Sequence, residues 1–389
     1  MYSLAHRILK NLNPETAHNL SIQGLKLGLY PKVSFKNTNI LEQTIWGRRF
    51  QTPIGLSAGF DKNAEVIKPI LNMGFSFTEL GTVTPLPQEG NPKPRIFRFP
   101  KHQALVNSLG FNNKGLNNFE RNIVNTNTSE NFQDKIIGIN IGNNKDTKEI
   151  IDDLEKLFDR LYRLGDYIVI NLSSPNTPGL RDNLKSQSFE KIVNYIHKLR
   201  EKNNSKIPIL FKISPDISEQ EKKDIALISL ANDVDGLILT NTSIDKSTLG
   251  IELNGGLSGK PLFYKSNKII RDFYTLTSGK IKIIGVGGIF TANDILTKMK
   301  LGASLVQLYS SFTYQGPYHI KKITLMVAAS ASVPALISGR AKFEPAVARI
   351  KSQDKASSNP PPTHMPSTAA ITGLFRSRSS CNPAKPPTP

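Results

Sequence analysis

The sequence contains a single cysteine, Cys381, among 389 residues. One cysteine cannot form a disulfide within the chain, and an iron–sulfur cluster needs about four thiolate ligands. Any redox chemistry in this protein would therefore depend on an organic cofactor.

A long apolar run is also missing. The best candidate, residues 325–337, is short and is interrupted by serines and a proline, whereas a membrane-spanning helix needs about 18 consecutive apolar residues. The N-terminus carries His6, Arg7 and Lys10 where a signal peptide has a continuous apolar core. These absences predict an intracellular protein that is not integral to a membrane.

Acidic residues are scarce relative to basic ones, with 31 Asp and Glu against 50 Lys and Arg, a net charge of +19. This excess favours an anionic surface as partner, either nucleic acid or phospholipid, and carries no information about fold. The 38% apolar residues and the 27 glycines together make up about 45% of the chain, which lies in the globular range and argues against global disorder. The six histidines are scattered without ligand spacing, so no metal site is predicted.

Short β-rich runs alternate with amphipathic helical patterns along most of the chain. Apolar strands that alternate with helices indicate parallel strands buried on both faces. Eight such units favour a (β/α)8 TIM barrel, and a doubly wound open sheet is the alternative. The eight predicted strands are residues 54–59, 77–82, 136–142, 167–173, 209–214, 236–242, 281–287 and 305–310.

Two glycine-rich segments follow predicted strands, at residues 284–289 (IGVGGI) and 255–259 (GGLSG). Barrels carry their chemistry at the carboxyl ends of the strands, and the loops after the last two strands often bind phosphate. Bare glycine amides can approach phosphate oxygens closely. A simple tight turn is the alternative for either motif alone; together they favour phosphate binding.

Polar residues also cluster at the ends of other strands. The segment 171–181 (NLSSPNTPGLR) offers amides and hydroxyls that could converge on a small polar ligand, or could form a plain turn. Lys62 follows the first strand and could be a solvated residue or an anion anchor. Lys212 interrupts an otherwise apolar strand, and because fully buried lysines are rare without a partner, a functional role is favoured.

The composition changes near residue 323. Residues 324–389 contain 10 of the 25 prolines and carry eight basic against two acidic residues. We expect a Pro/Ser/Ala-rich basic tail over residues 323–389, disordered from about Ser352, after a barrel over residues 41–322 and an N-terminal helical segment over residues 1–40. The abrupt change suggests material foreign to the fold, such as a frameshifted or fused end.

Taken together, the motifs of residues 1 to about 322 resemble dihydroorotate dehydrogenases of class 2, the membrane-associated, quinone-using type. The matching segments are 55–63 (GLSAGFDKN), 107–113 (NSLGFNN), 171–181, 240–242 (TNT), 255–261 and Tyr309-Ser310. The resemblance implies oxidation of (S)-dihydroorotate to orotate, a step of pyrimidine (UMP) biosynthesis, with FMN as hydride acceptor and a quinone as final electron acceptor.

The resemblance also implies positions for both ligands. The FMN-binding positions match Ala58, Gly59, Phe60, Asp61, Lys62, Thr82, Asn140, Asn171, Lys212, Thr240, Gly259, Gly287, Gly288, Tyr309 and Ser310. The substrate positions match Lys62, Asn107, Ser108, Leu109, Gly110, Phe111, Asn171, Asn176, Asn241 and Thr242. Lys62 would pair with the substrate carboxylate, and the asparagines would bind the ring amides and carbonyls.

Ser174 matches the catalytic base, which would take the proton from C5 while C6 gives up a hydride. A serine hydroxyl is a weak base at neutral pH, so a relay through Thr177 and a water is expected. The soluble class 1 enzymes carry cysteine at this position. Serine there argues for class 2, and the absence of cysteine before residue 381 also argues against dihydrouridine synthases, which are flavin barrels that bind tRNA.

Two helices predicted at the N-terminus could simply pack on the barrel, and the residues alone slightly favour this. In class 2 enzymes such a pair resembles a lid on the membrane surface, with a quinone tunnel between the helices. Leu4, Ala5, Ile8, Leu9 and Leu12 form one helical face here, and Asn13-Pro14-Glu15 is a start signal for a second helix. Basic residues of this segment would face anionic phospholipid. The resemblance thus implies a peripheral protein on the cytoplasmic side of the cell inner membrane, with no nucleic-acid partner.

Two features depart from the family pattern. Ser108 stands where the family often has a bulkier residue, and the last barrel helix begins near Ile320 but meets the atypical tail. The open alternatives are a phosphate-binding lyase or isomerase barrel without flavin, a relative whose activity is impaired by the altered C-terminus, and a non-catalytic basic protein that binds nucleic acid.

Overall fold

The computed structural model of the chain describes residues 2–35, 39–127, 135–177 and 179–331. Side chains of residues 2–5, 127 and 331 are outside this description. The predicted disordered tail from Ser352 onward lies outside the described residues, as does Pro178.

Thirteen strands and eleven α-helices occur in the described residues. The strands are β1 (Gln43–Ile45), β2 (Arg48–Phe50), β3 (Ile54–Leu56), β4 (Phe77–Val83), β5 (Ile96–Phe99), β6 (Ala104–Asn107), β7 (Ile136–Ile141), β8 (Tyr167–Asn171), β9 (Ile209–Ile213), β10 (Gly236–Leu239), β11 (Gly256–Gly259), β12 (Lys282–Val286) and β13 (Leu305–Leu308). The helices are α1 (Tyr2–Asn11), α2 (Pro14–Lys26), α3 (Ile67–Asn72), α4 (Gly115–Asn127), α5 (Ile150–Leu161), α6 (Ser186–Lys202), α7 (Glu219–Ala231), α8 (Phe263–Leu276), α9 (Ala292–Lys300), α10 (Ser310–Gln315) and α11 (Tyr318–Ala331).

Eight parallel strands form a closed barrel in the order β3-β4-β7-β8-β9-β10-β12-β13. The pairing of Val306 with Ile54 joins β13 back to β3, so the sheet has no free edge. This closure confirms the predicted (β/α)8 barrel and excludes the open doubly wound sheet. All eight predicted strands are the barrel strands, each ending at or slightly before its predicted boundary or, for β4, one residue after it.

Large side chains fill the barrel interior at positions where a neighbouring strand has glycine. The ring of Phe77 occupies the space beside Gly55, where a Cβ would come within 2.4 Å of it. The ring of Tyr167 does the same beside Gly138. The hairpin of β1 and β2 closes this end, with Phe50 packed edge-on against Phe77 at 5.4 Å. Chemistry is therefore confined to the opposite end, where the strands finish.

A three-stranded antiparallel sheet of β5, β6 and β11 lies outside the barrel. Its strands contain or adjoin the predicted substrate segment 107–111 and the glycine segment 255–259. Asn107 pairs with Gly256 across this sheet. The sheet thus fixes one predicted substrate segment against one predicted phosphate segment.

The N-terminal helices begin as the sequence predicts. Asn13 caps α2 by accepting the amides of Glu15 and Thr16 at 3.0 and 3.4 Å, and Pro14 occupies the first turn. Ile22 and Leu25 of α2 are buried in the cluster that also contains Phe60. One face of α2 therefore packs on the barrel, whereas Ile8 of α1 is 56% exposed.

The last helix differs from expectation. The sequence places the start of this helix near Ile320, directly before the atypical tail, but α11 continues to Ala331, past the change in composition near residue 323. Ile320, Ile323 and Val327 recur at helical spacing and are buried in the same cluster as Ile54 and Val306. Burial of that face explains why the helix continues past the change in composition.

Candidate functional site

A cavity of about 570 Å³ opens at the carboxyl ends of the barrel strands and extends beneath α1 and α2. It brings together most of the predicted site residues: Ala58, Gly59, Phe60, Lys62, Thr82, Asn107, Leu109, Gly110, Phe111, Asn171, Ser174, Asn176, Lys212, Thr240, Asn241, Thr242, Gly259, Gly287, Gly288, Tyr309 and Ser310.

Four predicted site residues do not line the cavity. The Asp61 carboxylate accepts the amides of Glu65 and Val66, both at 2.8 Å, and so holds the loop that carries Lys62. Ser108 is held through its backbone, with its amide donating to the Arg95 carbonyl. Asn140 is fully buried and accepts hydrogen bonds from the wall residues Thr82 and Asn171. Thr177 is also buried, and its carbonyl accepts the Leu180 amide at 3.3 Å.

A buried charged pair forms the floor of the cavity. Nζ of Lys212 lies 3.2 Å from Oε1 of Glu79 and 3.4 Å from Oγ of Ser57. Glu79 is fully buried and also accepts hydrogen bonds from Asn140 at 2.6 Å and from Gln307 at 2.5 Å. The lysine charge is thus balanced from below while Lys212 still reaches the cavity.

A chain of side-chain amides continues from this floor to the substrate positions. The Thr82 hydroxyl donates to Oδ1 of Asn140 at 2.6 Å, and Nδ2 of Asn171 donates to Thr82 at 3.0 Å. Nδ2 of Asn241 donates to Oδ1 of Asn171 at 3.3 Å and to Oγ of Ser173 at 3.0 Å. The mutual bonds fix how each amide is oriented before any ligand is present.

Ser174 lies on the loop after β8 and is 6% exposed. Its Oγ accepts the amide of Asn176 at 3.2 Å, and Nδ2 of Asn176 donates to Oδ1 of Asn107 at 3.2 Å. Ser174 is thereby held between the amide cluster and the segment that carries Asn107. A hydroxyl held beside amides that can orient a ring is suited to proton transfer.

The loop carrying Ser174 is fixed from behind by an ion pair. Arg181 donates to the Ser173 carbonyl at 3.1 Å, to the Thr242 carbonyl at 2.9 Å and to Oδ2 of Asp216 at 2.9 Å. Burial raises the pKa of Asp216, but hydrogen bonds from Lys265, Ser243 and a backbone amide outweigh it, so the pKa lies below its ordinary value. Loops after three strands are therefore joined through one guanidinium.

Lys62 projects into the cavity. Burial lowers its pKa to about 8, an effect only partly offset by Glu15 on α2. The same burial has the opposite effect on an acid: it raises the pKa of the neighbouring Asp61 to about 6. A half-desolvated lysine at the wall of a cavity is suited to binding a carboxylate.

Glycines form the wall opposite the amides. Gly259 has φ +98° and Gly288 has φ +73°, and a Cβ would lie 2.2 Å from the Gln103 carbonyl oxygen at the first and 2.5 Å from Cα of Phe263 at the second. Only glycine fits these positions, because protein atoms already occupy the space that a Cβ would need, and both residues line the cavity. Ser310 lies nearby, its Oγ 3.0 Å from Oγ of Ser258.

The far end of the cavity is lined by α1 and α2, including Leu9, His18 and Leu20. His18 packs edge-on against Phe60 at 5.3 Å, and burial, with Lys62 nearby, lowers its pKa to about 3. Arg98 donates to the carbonyls of Lys10 and Leu12 at the end of α1. This end of the cavity is therefore lined mainly by apolar side chains, together with Arg98 and the neutral imidazole of His18.

Sequence reasoning missed the floor residues Glu79, Ser57 and Gln307. The sequence did carry a signal for Glu79. A glutamate inside the apolar run 77–83 needs a partner when it is buried, just as Lys212 does in its own strand. The two would have been recognised as partners only with the strand order known.

No group of three or more potential metal ligands occurs in the part of the chain that the structure describes. Over the same residues, no helix has the length and apolar content required to cross a bilayer.

Comparison with known proteins places these features in a family. A family model described as dihydroorotate dehydrogenase matches residues 40–329. A dihydroorotate dehydrogenase (quinone) from Parvibaculum lavamentivorans is 43% identical over 333 residues, covering 85% of this chain and 94% of the relative. One of the same name from Bartonella henselae is 47% identical over 317 residues, covering 79% of this chain and 85% of the relative.

A solved structure of a dihydroorotate dehydrogenase also matches this chain. The crystal structure of the dihydroorotate dehydrogenase from Eimeria tenella in complex with ferulenol has a TM-score of 0.80 and 36% sequence identity to this chain. The likeness covers 85% of this chain and 96% of that one.

Proposed function

Because this chain belongs to the dihydroorotate dehydrogenase family, we propose that it oxidises (S)-dihydroorotate to orotate in pyrimidine biosynthesis and passes the electrons to a quinone. One observation carries the proposal: a single cavity joins Lys62, the asparagine cluster and Ser174 to a wall of bare glycine amides. An anionic ring substrate and a phosphorylated cofactor can share such a cavity.

FMN is the cofactor that fits this cavity. Gly259, Gly287 and Gly288 line the cavity without side chains, so their backbone can approach a phosphate group closely. Lys212, the Thr82 hydroxyl and the Asn171 amide also line the cavity and suit the polar edge of a flavin ring, and the single cysteine excludes an iron–sulfur cluster. When bound, FMN supplies the hydride acceptor.

The chain's own residues bind and orient the substrate. Lys62 pairs with the substrate carboxylate, and Asn107, Asn171, Asn176 and Asn241 bind the ring amides and carbonyls. Their existing hydrogen bonds hold them in place beforehand, which reduces the entropy lost on binding. Desolvation by the cavity wall strengthens the ion pair with Lys62.

Ser174 is the general base. Oxidation removes a proton from C5 and a hydride from C6 of dihydroorotate, and Oγ of Ser174 takes the proton. Since a serine hydroxyl is a weak base, the proton must leave along a relay, for which we propose Thr177 and a water. Thr177 is buried and does not line the cavity, so a relay through it would lead away from the substrate.

Orotate binding should depend on pH through Lys62. Because the pKa of Lys62 is lowered to about 8, the ammonium is present below pH 8 and lost as the pH rises above it. The dissociation constant of orotate should therefore be constant below pH 8 and rise toward about tenfold per pH unit above it, because one proton is coupled to binding. Equilibrium titrations with orotate check this, and Lys62→Met should bind weakly at every pH. A flat profile to pH 10 would remove Lys62 as the carboxylate partner.

We propose that residues 1–40 form a quinone-access lid on an anionic phospholipid surface, on the cytoplasmic side of the inner membrane. The barrel over residues 41–322, whose last helix continues to Ala331, carries the chemistry. The lid assignment is supported by the apolar cavity end beneath α1 and α2 and by the exposed Ile8 and Leu20 at its rim.

The lid is tested by a matched pair of leucine substitutions. Leu20 is 50% exposed and lines the cavity, whereas Leu227 on α7 is 64% exposed and lies elsewhere. Leu20→Asp should raise the KM for a hydrophobic quinone by roughly tenfold or more, because a leucine contributes about 1.5–3 kcal/mol when buried. It should spare reduction of the flavin by dihydroorotate, and Leu227→Asp should change neither. Equal quinone kinetics in both variants would contradict the lid.

An absorption spectrum of the purified protein tests the proposal against its main alternative. Bound FMN, identified after acid release, supports the dehydrogenase. A colourless protein with no affinity for FMN would favour a phosphate-binding lyase or isomerase barrel.

A further inference from the structure

Lys298 on α9 is fully buried, and the contacts of its Nζ among the described residues are with a hydroxyl, an amide oxygen and an aromatic ring, none of them a carboxylate. Its Nζ donates to Oγ of Ser266 at 2.6 Å and to Oδ1 of Asn267 at 2.9 Å, and it lies 5.3 Å from the ring centre of Phe263. All three partners belong to the beginning of α8. Buried lysines are rare without an acidic partner, and the mechanism above leaves this one unused.

The lysine connects through one hydroxyl to the glycine wall. Oγ of Ser266 lies 3.2 Å from the Gly287 carbonyl oxygen and 3.1 Å from that of Phe263. A lysine ammonium can only donate, so Ser266 accepts from it and keeps its own hydrogen for a carbonyl. The relay therefore runs from Lys298 through Ser266 to the peptide between Gly287 and Gly288.

That relay determines where the next amide points. In a trans peptide the C=O and N–H point in opposite directions, so a Gly287 carbonyl held toward Ser266 directs the Gly288 N–H away from it. Gly287 and Gly288 both line the cavity. A Cβ at Gly287 would lie 3.0 Å from Oγ of Ser266, so the glycine leaves room for this contact.

We propose that Lys298 is a positioning residue for the FMN phosphate: through Ser266 it orients the Gly287–Gly288 peptide, and its charge supports the bound anion from behind. This inference rests on the proposed function, because it takes FMN as the ligand of the glycine wall.

A purely structural role does not account for a lysine here. A buried charge without a counter-ion costs free energy, and an apolar side chain of the same shape is often as stable or more so. Burial lowers the pKa of Lys298 to about 7, with Asp294 on the same helix only partly offsetting it. Methionine would fill the same space without this cost, so the charge is explained by an anion beyond Ser266.

The test uses the full chain and two flavins that differ only in the phosphate. Wild type, Lys298→Met and the control Lys300→Met are dialysed against graded FMN or riboflavin, and bound flavin is measured after acid release. Lys300 is exposed on the same helix, so its variant loses the same charge without the buried contact. Thermal melts of the flavin-free proteins are recorded in parallel.

We expect Lys298→Met to weaken FMN binding about tenfold, to leave riboflavin binding unchanged and to keep or raise the melting temperature of the flavin-free protein. Lys300→Met should match wild type, and Ser266→Ala should also weaken FMN selectively. Equal weakening of both flavins, or unchanged FMN binding, would overturn the inference while leaving the proposed function standing. Failure of wild type to bind FMN would overturn both.

Discussion

Ser174→Ala should bind FMN and orotate normally and lose roughly 10²–10⁴-fold in the rate at which dihydroorotate reduces the flavin, the usual contribution of a general base. Oγ of Ser174 accepts only the Asn176 amide among the protein contacts described, so its removal leaves the asparagine cluster intact. Anaerobic stopped-flow absorbance measures this half-reaction directly.

Ser174→Cys is the informative companion variant. A thiol has a pKa near 8.5, so this variant should keep part of the rate and gain more of it as the pH rises. Orotate affinity serves as the control for an intact site in both variants. A near-normal rate of flavin reduction in Ser174→Ala would show that another group takes the C5 proton.

Lys212→Met should cost about 3–5 kcal/mol of unfolding free energy, the usual effect of leaving one partner of a buried ion pair unpaired. The Lys212 side chain is 5% exposed and that of Glu79 is fully buried, so the glutamate charge would lose its counter-ion with little access to water. Urea unfolding followed by circular dichroism gives the change in free energy.

The double variant Lys212→Met with Glu79→Gln separates stability from function. It should recover much of the lost stability because no buried charge is left unpaired, yet it should still bind FMN poorly because the cation at the cavity floor is gone. Lys202→Met is the matched surface control, since Lys202 pairs with Glu155 at 58% exposure and exposed pairs contribute about 1 kcal/mol or less. If Lys212→Met is no less stable than this control, the floor is not held by the buried pair.

The barrel could be predicted from the sequence because its strands are buried on both faces. Mostly apolar runs such as residues 136–141 and 209–213 indicate parallel strands covered on both sides, and each is followed by a small residue, Gly142 and Ser214. The second N-terminal helix was marked by the start signal Asn13-Pro14-Glu15, and Asn13 does cap α2. Each of these signals involves residues that are close together along the chain, so each can be identified from the sequence alone.

The polar floor and the support behind the glycine wall could not be found in this way. Glu79 and Lys212 lie on strands that are distant along the chain and meet only across the barrel interior. In the sequence, Lys298 is one of several basic residues on a predicted surface helix. Its burial depends on contact with α8, which the sequence alone does not indicate. The persistence of α11 past residue 323 also depends on a distant partner, the outer face of β3 and β13.

Dihydroorotate should reduce a flavin held in this cavity. The visible absorbance of the purified protein, recorded after anaerobic addition of dihydroorotate and then of a quinone, measures this reaction directly. We expect the substrate to bleach the flavin absorbance, the quinone to restore it, and orotate added instead of dihydroorotate to leave it unchanged. A protein whose bound flavin is not bleached by dihydroorotate, although it is reduced by dithionite, would contradict it.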